Sequence, residues 1–168
     1  MIDLDKIRRS ADIIGESLEI QEMLALIGQV ANTDILVLIT GESGTGKNFV
    51  AKLIHNLSSR SSKPFITINC ALLNNKNFDK TFFGDFSAMN KTLGYIQKAG
   101  QGTIYLKEIC DLEYHIQGKI TNFLQKETYS LSSSTGEEDN FNINIRFISS
   151  TSKDINQEIE QKKLRKDL

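Results

Sequence analysis

The sequence predicts an α/β fold of three layers, in which helices cover both faces of a mainly parallel sheet. Apolar segments of strand length alternate along the chain with segments whose apolar residues recur at helical spacing. The run over residues 35–39 is continuously apolar and partly β-branched, which is typical of a strand buried on both faces of such a sheet. The 168 residues contain no internal repeat and no linker, so we expect one unit over residues 1–168.

The individual elements follow from the same periodicities. Apolar residues over Leu18–Ala31 fall three, four and seven positions apart, which predicts an amphipathic helix. Residues 130–142 are rich in Ser, Gly and acidic residues and are predicted to form an exposed loop or a loose hairpin. The other predicted elements are a helix with Val50, Leu53, Ile54 and Leu57 on one face, strands at Phe65–Asn69, 103–106 and 143–149, a helix carrying Leu112, Ile116, Ile120, Phe123 and Leu124, and a polar helix over 155–168.

Composition excludes several classes of function. The formal net charge is −1 and the pI is about 6.1, so no general basic surface for nucleic acid is expected. The apolar run at 35–39 is too short to cross a bilayer and the first ten residues have no apolar signal region, so we expect a cytoplasmic protein without membrane contact. Cys70 and Cys110 lack metal-ligand spacing and are interpreted as idle thiols.

A glycine-rich segment lies between the strand predicted at 35–39 and the helix that follows it. Its glycines allow several backbone N–H groups to converge on one point, and the helix start adds the positive end of its dipole. Lys47 would then reach the outer phosphates of a nucleotide. The usual motif continues with Ser or Thr, which contacts magnesium, whereas this chain has Asn48. The alternative is a plain glycine turn. The segment reads Gly41, Glu42, Ser43, Gly44, Thr45, Gly46, Lys47, Asn48.

This loop, taken with the upstream residues Ile13-Ile14-Gly15-Glu16-Ser17, resembles the central AAA+ domain of sigma-54-dependent transcription activators, the NtrC-type enhancer-binding regulators. The resemblance runs along almost the whole chain. In this family the residue after the lysine is usually Glu, so Asn48 departs from both patterns. Further matching segments are Val30-Ala31-Asn32-Thr33-Asp34, Ile54-His55-Asn56-Leu57-Ser58-Ser59-Arg60, Pro64-Phe65-Ile66-Thr67-Ile68-Asn69-Cys70-Ala71 and Gly102-Thr103-Ile104-Tyr105-Leu106.

The resemblance implies the core of a P-loop NTPase that binds ATP and assembles into a ring, normally a hexamer, which remodels RNA polymerase holoenzyme containing sigma-54. Glu108 matches the glutamate that polarises the attacking water, and Arg165 matches an arginine that reaches in trans into the neighbouring subunit's site. Thr151 falls in the sensor segment, and Ser152 stands where the family usually has Asn.

This chain departs from two functional motifs of the family. The family's second motif ends Asp-Glu, with the aspartate holding magnesium, whereas this chain has Lys107-Glu108. At ~5 Å and an effective dielectric near 20, each unit-charge pair amounts to about 3 kcal/mol, so we expect doubtful magnesium binding and poor hydrolysis. The family's sigma-contact signature, Gly-Ala-Phe-Thr-Gly-Ala, is absent from a shortened segment between Gly84 and Gly94. Some response regulators of the NtrX type resemble this arrangement, with the AAA+ core kept and the sigma-contact loop lost.

The chain is also expected to be a fragment of a larger regulator. In the family a receiver domain would precede Met1, and the helical lid and the DNA-binding helix-turn-helix would follow Leu168, so any DNA contact would be made by a domain outside this chain. Of the remaining residues, His55 is interpreted as structural, and the lysine-rich tail as the solvated face of a helix.

Three functional hypotheses follow. In the first, the chain is an ATP-binding regulatory module that assists assembly of a homo-oligomer, with hydrolysis and sigma-54 contact impaired. In the second, it is an active ATPase that relies on Glu108 and on Arg165 in trans. In the third, it is a degenerate remnant that folds and binds no nucleotide.

Overall fold

A four-stranded parallel sheet forms the middle of the molecule. The structure is a computed structural model that describes residues 17–74, 76–87, 90–125, 128–132, 138–142 and 144–168. The sheet has the strand order β1-β8-β5-β2, and the pairs β3-β4 and β6-β7 form two antiparallel hairpins. The strands are β1 Val37–Thr40, β2 Phe65–Asn69, β3 Asp85–Ser87, β4 Asn90–Thr92, β5 Thr103–Lys107, β6 Thr128–Ser132, β7 Glu138–Asn142 and β8 Arg146–Thr151.

Helices occupy the connections between the strands of the sheet. The first begins after Ser17, whose Oγ accepts a hydrogen bond from the N–H of Ile20 at 3.4 Å, the usual role of a serine at this position. It covers Leu18–Ala31, as predicted from its apolar spacing. The helices are α1 Leu18–Ala31, α2 Lys47–Asn56, α3 Phe78–Phe83, α4 Tyr95–Ala99, α5 Tyr114–Leu124 and α6 Ile155–Glu160, with 3-10 turns at Cys70–Leu72 and Ile109–Asp111.

Two hydrophobic clusters, one on each face of the sheet, account for the layered architecture. Because side chains alternate along a strand, Tyr105 joins one cluster while Ile104 and Leu106 join the other. The cluster on the Tyr105 face lies under α1 and α2, and the opposite cluster lies under α3, α4 and α5. The predicted three-layer α/β/α fold with a parallel sheet is therefore confirmed. Buried members of the second cluster include Phe78, Phe82, Ile96, Ile104, Ile116, Ile120 and Phe147.

The register of the sheet aligns the carboxyl ends of its strands. Thr40 pairs with Thr151, and Asn69 pairs with Lys107, each at the last residue of its strand. Residues that follow β1, β5 and β8 therefore meet at the same edge of the sheet. In open parallel sheets this is the edge where ligands bind.

The strand predicted at 35–39 is displaced and is not buried on both faces, so that expectation was wrong. Strand β1 begins at Val37 and lies at the edge of the described sheet, where it pairs with β8. Val37 and Ile39 face the α1 and α2 side, whereas Leu38 is 45% exposed on the other face. A continuously apolar run does not by itself distinguish a central strand from an edge strand.

The predicted helix over 155–168 was also too long. Helix α6 ends at Glu160, and Lys162 adopts a left-handed φ of 56°, which breaks the helical path. The carbonyl of Glu158 then accepts the N–H groups of both Lys163 and Leu164, at 2.9 and 3.0 Å. This turn buries Leu164 against the core, a tertiary contact that outweighs the helical propensity of the tail.

The remaining sequence predictions were close. Strand 143–149 corresponds to Arg146–Thr151, and Ile143 lies outside the described residues. The segment 130–142 belongs in part to the β6-β7 hairpin, so the hairpin alternative is confirmed, and residues 133–137 lie outside the described part. The short helices α3 and α4 were not predicted. No helix in the described ranges has the length and apolar character needed to cross a membrane.

Structural cations occupy the opposite, amino end of the sheet. Buried Arg146 donates to the carbonyls of Val30 and Ala31 in the last turn of α1, where no further helical turn supplies N–H groups. Arg60 donates to Asp34 Oδ1 at 2.9 Å and to the carbonyl of Gln101 at 2.7 Å. The Arg146 contacts tie α1 to β8, and the Arg60 contacts join the loops at this end of the sheet.

Candidate functional site

The glycine-rich loop joins β1 to α2 at the carboxyl edge of the sheet. Gly44 and Gly46 have φ values of 86° and 88°, a left-handed conformation that costs other residues about 1–2 kcal/mol. The Thr45 hydroxyl donates to the carbonyl of Glu42 at 2.9 Å and closes the loop on itself. The sequence therefore places glycine where the backbone of the loop requires it.

The amino end of α2 presents free backbone donors. The first intrahelical hydrogen bond runs from the Val50 N–H to the Gly46 carbonyl at 3.0 Å. The amides of Lys47, Asn48 and Phe49 therefore have no acceptor within the helix. Together with the dipole of this ten-residue helix, these groups favour an anion in front of the loop.

Lys47 is buried beside the loop, with 7% of its surface exposed. Its ammonium donates to the carbonyls of Gly41 and Glu42 at 2.7 and 2.8 Å. It also lies 3.7 Å from Oε1 of Glu108. The positive charge is therefore fixed at the point where the loop, the helix start and the end of β5 meet.

Glu108 is held by contacts to two other elements. It has a left-handed φ of 55°, which is unusual for a residue other than glycine and is common at functional positions. Its Oε2 accepts the backbone N–H of Ser152 at 2.7 Å and the Ser152 hydroxyl at 2.9 Å. The carboxylate thus connects the residue after β8 with Lys47.

The side chain of Asn48 is directed toward the sheet. The Tyr105 hydroxyl donates to its Oδ1 at 3.0 Å and also lies 2.7 Å from Oγ of Ser150. Burial raises the pKa of the Tyr105 hydroxyl above its ordinary value, so this hydroxyl stays protonated as a donor. Asn48, Tyr105 and Ser150 form a chain of hydrogen bonds from α2 to β8.

Two carboxylates near this edge, those of Glu108 and Asp111, are already engaged in ion pairs or hydrogen bonds. Asp111 pairs with Lys153 at 2.8 Å, and this hydrogen bond raises the pKa of Lys153. In the described part of the chain no three His, Cys, Asp or Glu side chains are grouped so as to hold a metal ion. This edge thus presents one buried ammonium and free amides, which favour an anion, with one glutamate beside them.

Arg165 follows α6 in the chain, packs against the start of α5 and is held within its own chain. Its guanidinium donates to both carboxylate oxygens of Asp167 at 2.8 and 2.7 Å and lies 5.6 Å from the centre of the Tyr114 ring. The hydrogen bonds that Arg165 donates to Asp167 raise the pKa of Arg165. The side chain is therefore charged and partly exposed, which leaves its role toward another subunit as a prediction.

Three other residues weighed from the sequence have structural surroundings. His55 is buried, with Nδ1 2.9 Å from the Thr103 hydroxyl, and desolvation lowers its pKa. Cys70 and Cys110 are both buried, and burial raises the pKa of both thiols. Raised pKa values make thiolates scarce, so neither cysteine is activated as a nucleophile.

Sequence reasoning missed the contact between Tyr105 and Asn48 and the pairing of Lys153 with Asp111. The first had a signal, because period-two alternation along β5 places Tyr105 on the same face as α2. The second had none, since it depends on the close approach of the turn after β5 to the turn after β8.

A parallel sheet with helices on both faces, joined at its carboxyl edge to a glycine loop and a buried lysine, defines the class of P-loop NTPase folds. A family model described as the Sigma-54 interaction domain matches residues 13–168. The chain belongs to this family of transcription-regulator domains, as its resemblance to NtrC-type regulators indicated.

Individual relatives agree with this assignment. The chain is 35% identical over 162 residues to the anaerobic nitric oxide reductase transcription regulator NorR of Aliivibrio fischeri, and the match covers 94% of the chain and 31% of NorR. It is similar to NtrX of Brucella abortus solved in complex with ADP, with a TM-score of 0.80, 30% identity and coverage of 96% of this chain and 36% of NtrX.

NtrX of the same organism solved with ATP has a TM-score of 0.79 to this chain, with 30% identity and coverage of 96% of this chain and 39% of NtrX. The chain therefore spans roughly a third of the length of these relatives.

Proposed function

We propose that this chain is the ATP-binding AAA+ module of a sigma-54-type transcription regulator, in which bound nucleotide promotes assembly and hydrolysis is impaired. The observation that carries the proposal is Lys47, buried at the start of α2 beneath a loop with two left-handed glycines. Free amides, a helix dipole and a fixed ammonium together make a site for a polyphosphate. The crystal structures of NtrX with ADP and with ATP support the same ligand class here.

The assembly step rests on Arg165. Its side chain is partly exposed beside Tyr114 of α5, where a neighbouring copy of the chain could bring its own phosphate loop. An arginine in this position would then stabilise charge on the γ-phosphate of the neighbour. We therefore expect a homo-oligomer, ring-shaped in the intact regulator, that forms more readily with nucleotide bound.

Contact with sigma-54 holoenzyme is proposed to be impaired. The family signature for that contact is absent between Gly84 and Gly94, and this segment instead contains the short strands β3 and β4. Contact with DNA would require a domain outside these 168 residues. The regulator would then act through its nucleotide-dependent assembly.

Active ATP hydrolysis is the second candidate, because one observation favours it. Glu108 lies with Oε1 3.7 Å from the Lys47 ammonium, so a carboxylate is present beside the proposed phosphate position. Against it, the adjacent residue is Lys107 where the family carries aspartate, and Ser152 engages the other oxygen of Glu108. A carboxylate held in this way is poorly placed to accept a proton from water.

Calorimetric titration with ATP and a phosphate-release assay separate these candidates. We expect binding in the micromolar to millimolar range, and phosphate release that is the same in wild type and in Glu108→Gln. Phosphate release that this substitution abolishes would establish the active ATPase instead. Absence of both heat and thermal stabilisation would favour the degenerate remnant.

Light scattering with and without ATP would test assembly. A molecular mass that ATP leaves unchanged would contradict the proposed nucleotide-dependent assembly.

A further inference from the structure

Magnesium normally accompanies ATP in P-loop sites, held by the hydroxyl after the lysine and by the aspartate of the second motif. In this chain those positions are Asn48 and Lys107. The surroundings of both residues show whether the site fits a metal ion.

Asn48 is a poor magnesium ligand in its observed position. Its only ligating atom, Oδ1, accepts a hydrogen bond from Tyr105 at 3.0 Å, and Tyr105 is itself fixed by Ser150 at 2.7 Å. Magnesium prefers oxygen ligands in strict octahedral geometry, so an oxygen aimed at a tyrosine hydroxyl does not serve.

Neither Glu108 nor Asp111 replaces the missing aspartate. Both oxygens of Glu108 have partners, Ser152 on one and Lys47 on the other. Asp111 is paired with Lys153 at 2.8 Å. The residues present therefore do not fit a nucleotide-bound magnesium ion.

Lys107 lies on the side of the sheet that faces the phosphate loop. Alternate residues of β5 share one face, and along that face Thr103 contacts His55 while Tyr105 contacts Asn48 at the start of α2. Lys107 is the next residue on that face, so it projects beyond the amino end of α2. The 3.7 Å approach of Glu108 to Lys47 confirms that this end of β5 adjoins the loop.

We propose that this site binds ATP free of divalent metal, with the ammonium of Lys107 in place of the magnesium ion. The proposal rests on the proposed nucleotide binding and adds the charge state of the ligand. At these three positions Lys47, Lys107 and Glu108 carry a net charge of about +1, whereas the family pattern of lysine, aspartate and glutamate carries about −1. This difference of two charge units favours the fully charged triphosphate and disfavours magnesium.

Calorimetric titration of the full chain with ATP, once in EDTA and once in excess magnesium, tests the proposal. We expect wild type to bind at least about tenfold more tightly in EDTA. Equal affinity in the two buffers, or tighter binding with magnesium, would overturn the metal-free site and leave the proposed nucleotide binding intact. Absence of heat in both buffers would instead contradict the proposed function, and this inference with it.

Substitutions at Lys107 give a second, independent readout. Lys107→Asp should reverse the preference, so that magnesium tightens binding, and Lys107→Gln should remove it. Lys63→Asp is the matched control, because Lys63 is exposed at the opposite end of the sheet and the change of charge is the same. A preference for EDTA that survives in both Lys107 variants would show that Lys107 is not the cation responsible. Circular dichroism melting confirms that each variant is folded.

Discussion

The two sides of the candidate site differ in how far they retain the family pattern. The phosphate loop and the start of α2 keep left-handed glycines, free amides and a buried lysine. The ends of β5 and β8 carry Lys107 and Ser152 where the family pattern has aspartate and asparagine. Binding a phosphate requires converging amides and one cation, whereas hydrolysis requires a metal and a free carboxylate. In the proposed function, the chain would therefore keep recognition of nucleotide and lack the means of turnover.

The contrast follows from what each function depends on, backbone conformation in one case and single side chains in the other. Recognition depends on backbone conformation, which Gly44 and Gly46 set and which nearby side-chain substitutions disturb little. Turnover depends on single side chains at the ends of the strands, where one substitution changes the local charge by two units. Several substitutions test how separable the two sides are.

The largest effect is expected for Lys47→Ala. It removes the ammonium that would contact the phosphates, and charge-assisted hydrogen bonds contribute about 1.5–3 kcal/mol each, so ATP affinity should fall by about 100-fold or more. Calorimetry measures the change. Lys52→Ala, on the exposed side of the same helix, is the matched control and should bind as wild type does. Equal affinity in both variants would show that nucleotide binds elsewhere.

A smaller loss of affinity is expected for Gly44→Ala. The added Cβ meets open space, but the φ of 86° is strained for alanine by about 1–2 kcal/mol, which corresponds to a loss of about 5- to 30-fold. Ser43→Ala in the same loop lacks this strain and should have little effect. If Gly44→Ala bound ATP as tightly as wild type, the loop would not need its observed conformation for binding.

Tyr105→Phe tests the connection between the two sides. The substitution leaves the Ser150 hydroxyl, which is fully buried, without its tyrosine partner and should lower the free energy of unfolding by about 1–2 kcal/mol. Urea denaturation measures this value. Tyr114→Phe, at an exposed position on α5, should change it by less than about 0.5 kcal/mol. Similar values for both would show that the hydrogen-bond chain contributes nothing to stability.

The smallest effect is expected for the pH dependence of stability, through His55 near the carboxyl end of α2. Desolvation lowers the pKa of His55 in the folded state, so the unfolded chain takes up the proton first. Stability should therefore fall as pH decreases below about 6.5, the ordinary pKa of histidine. His55→Gln should reduce this slope between about pH 7.5 and 5.5, while His115→Gln at the exposed start of α5 should not. Urea denaturation at several pH values measures these slopes of stability against pH. A slope that His115→Gln reduces and His55→Gln leaves unchanged would contradict the prediction.

Much of the fold and part of the site could be predicted from the sequence. Helix α1 and strand β2 have the predicted limits, since their apolar periodicity and their boundaries agree. The edge position of β1 could not be predicted, because strand order depends on contacts distant in sequence. The end of α6 at Glu160 was missed because the burial of Leu164 favours a turn that propensity does not indicate.

For the site, the motif predicted the loop and Lys47, and the resemblance pointed to Glu108. The partners of these residues were not predictable. The hydrogen bonds from Ser152 to Glu108 and from Tyr105 to Asn48 join residues 44 and 57 positions apart, and only the folded sheet brings them together.

The chemical fate of bound nucleotide tests the central claim most directly. Protein in molar excess over ATP would be equilibrated without divalent metal and separated by ultrafiltration. A parallel sample would be supplied with magnesium and incubated for hours, and the nucleotide of both samples would be identified by ion-exchange chromatography. The account predicts that nucleotide is retained without divalent metal and remains ATP after incubation with magnesium. Loss of nucleotide from the metal-free sample, or conversion to ADP in the other sample that Glu108→Gln prevents, would contradict it.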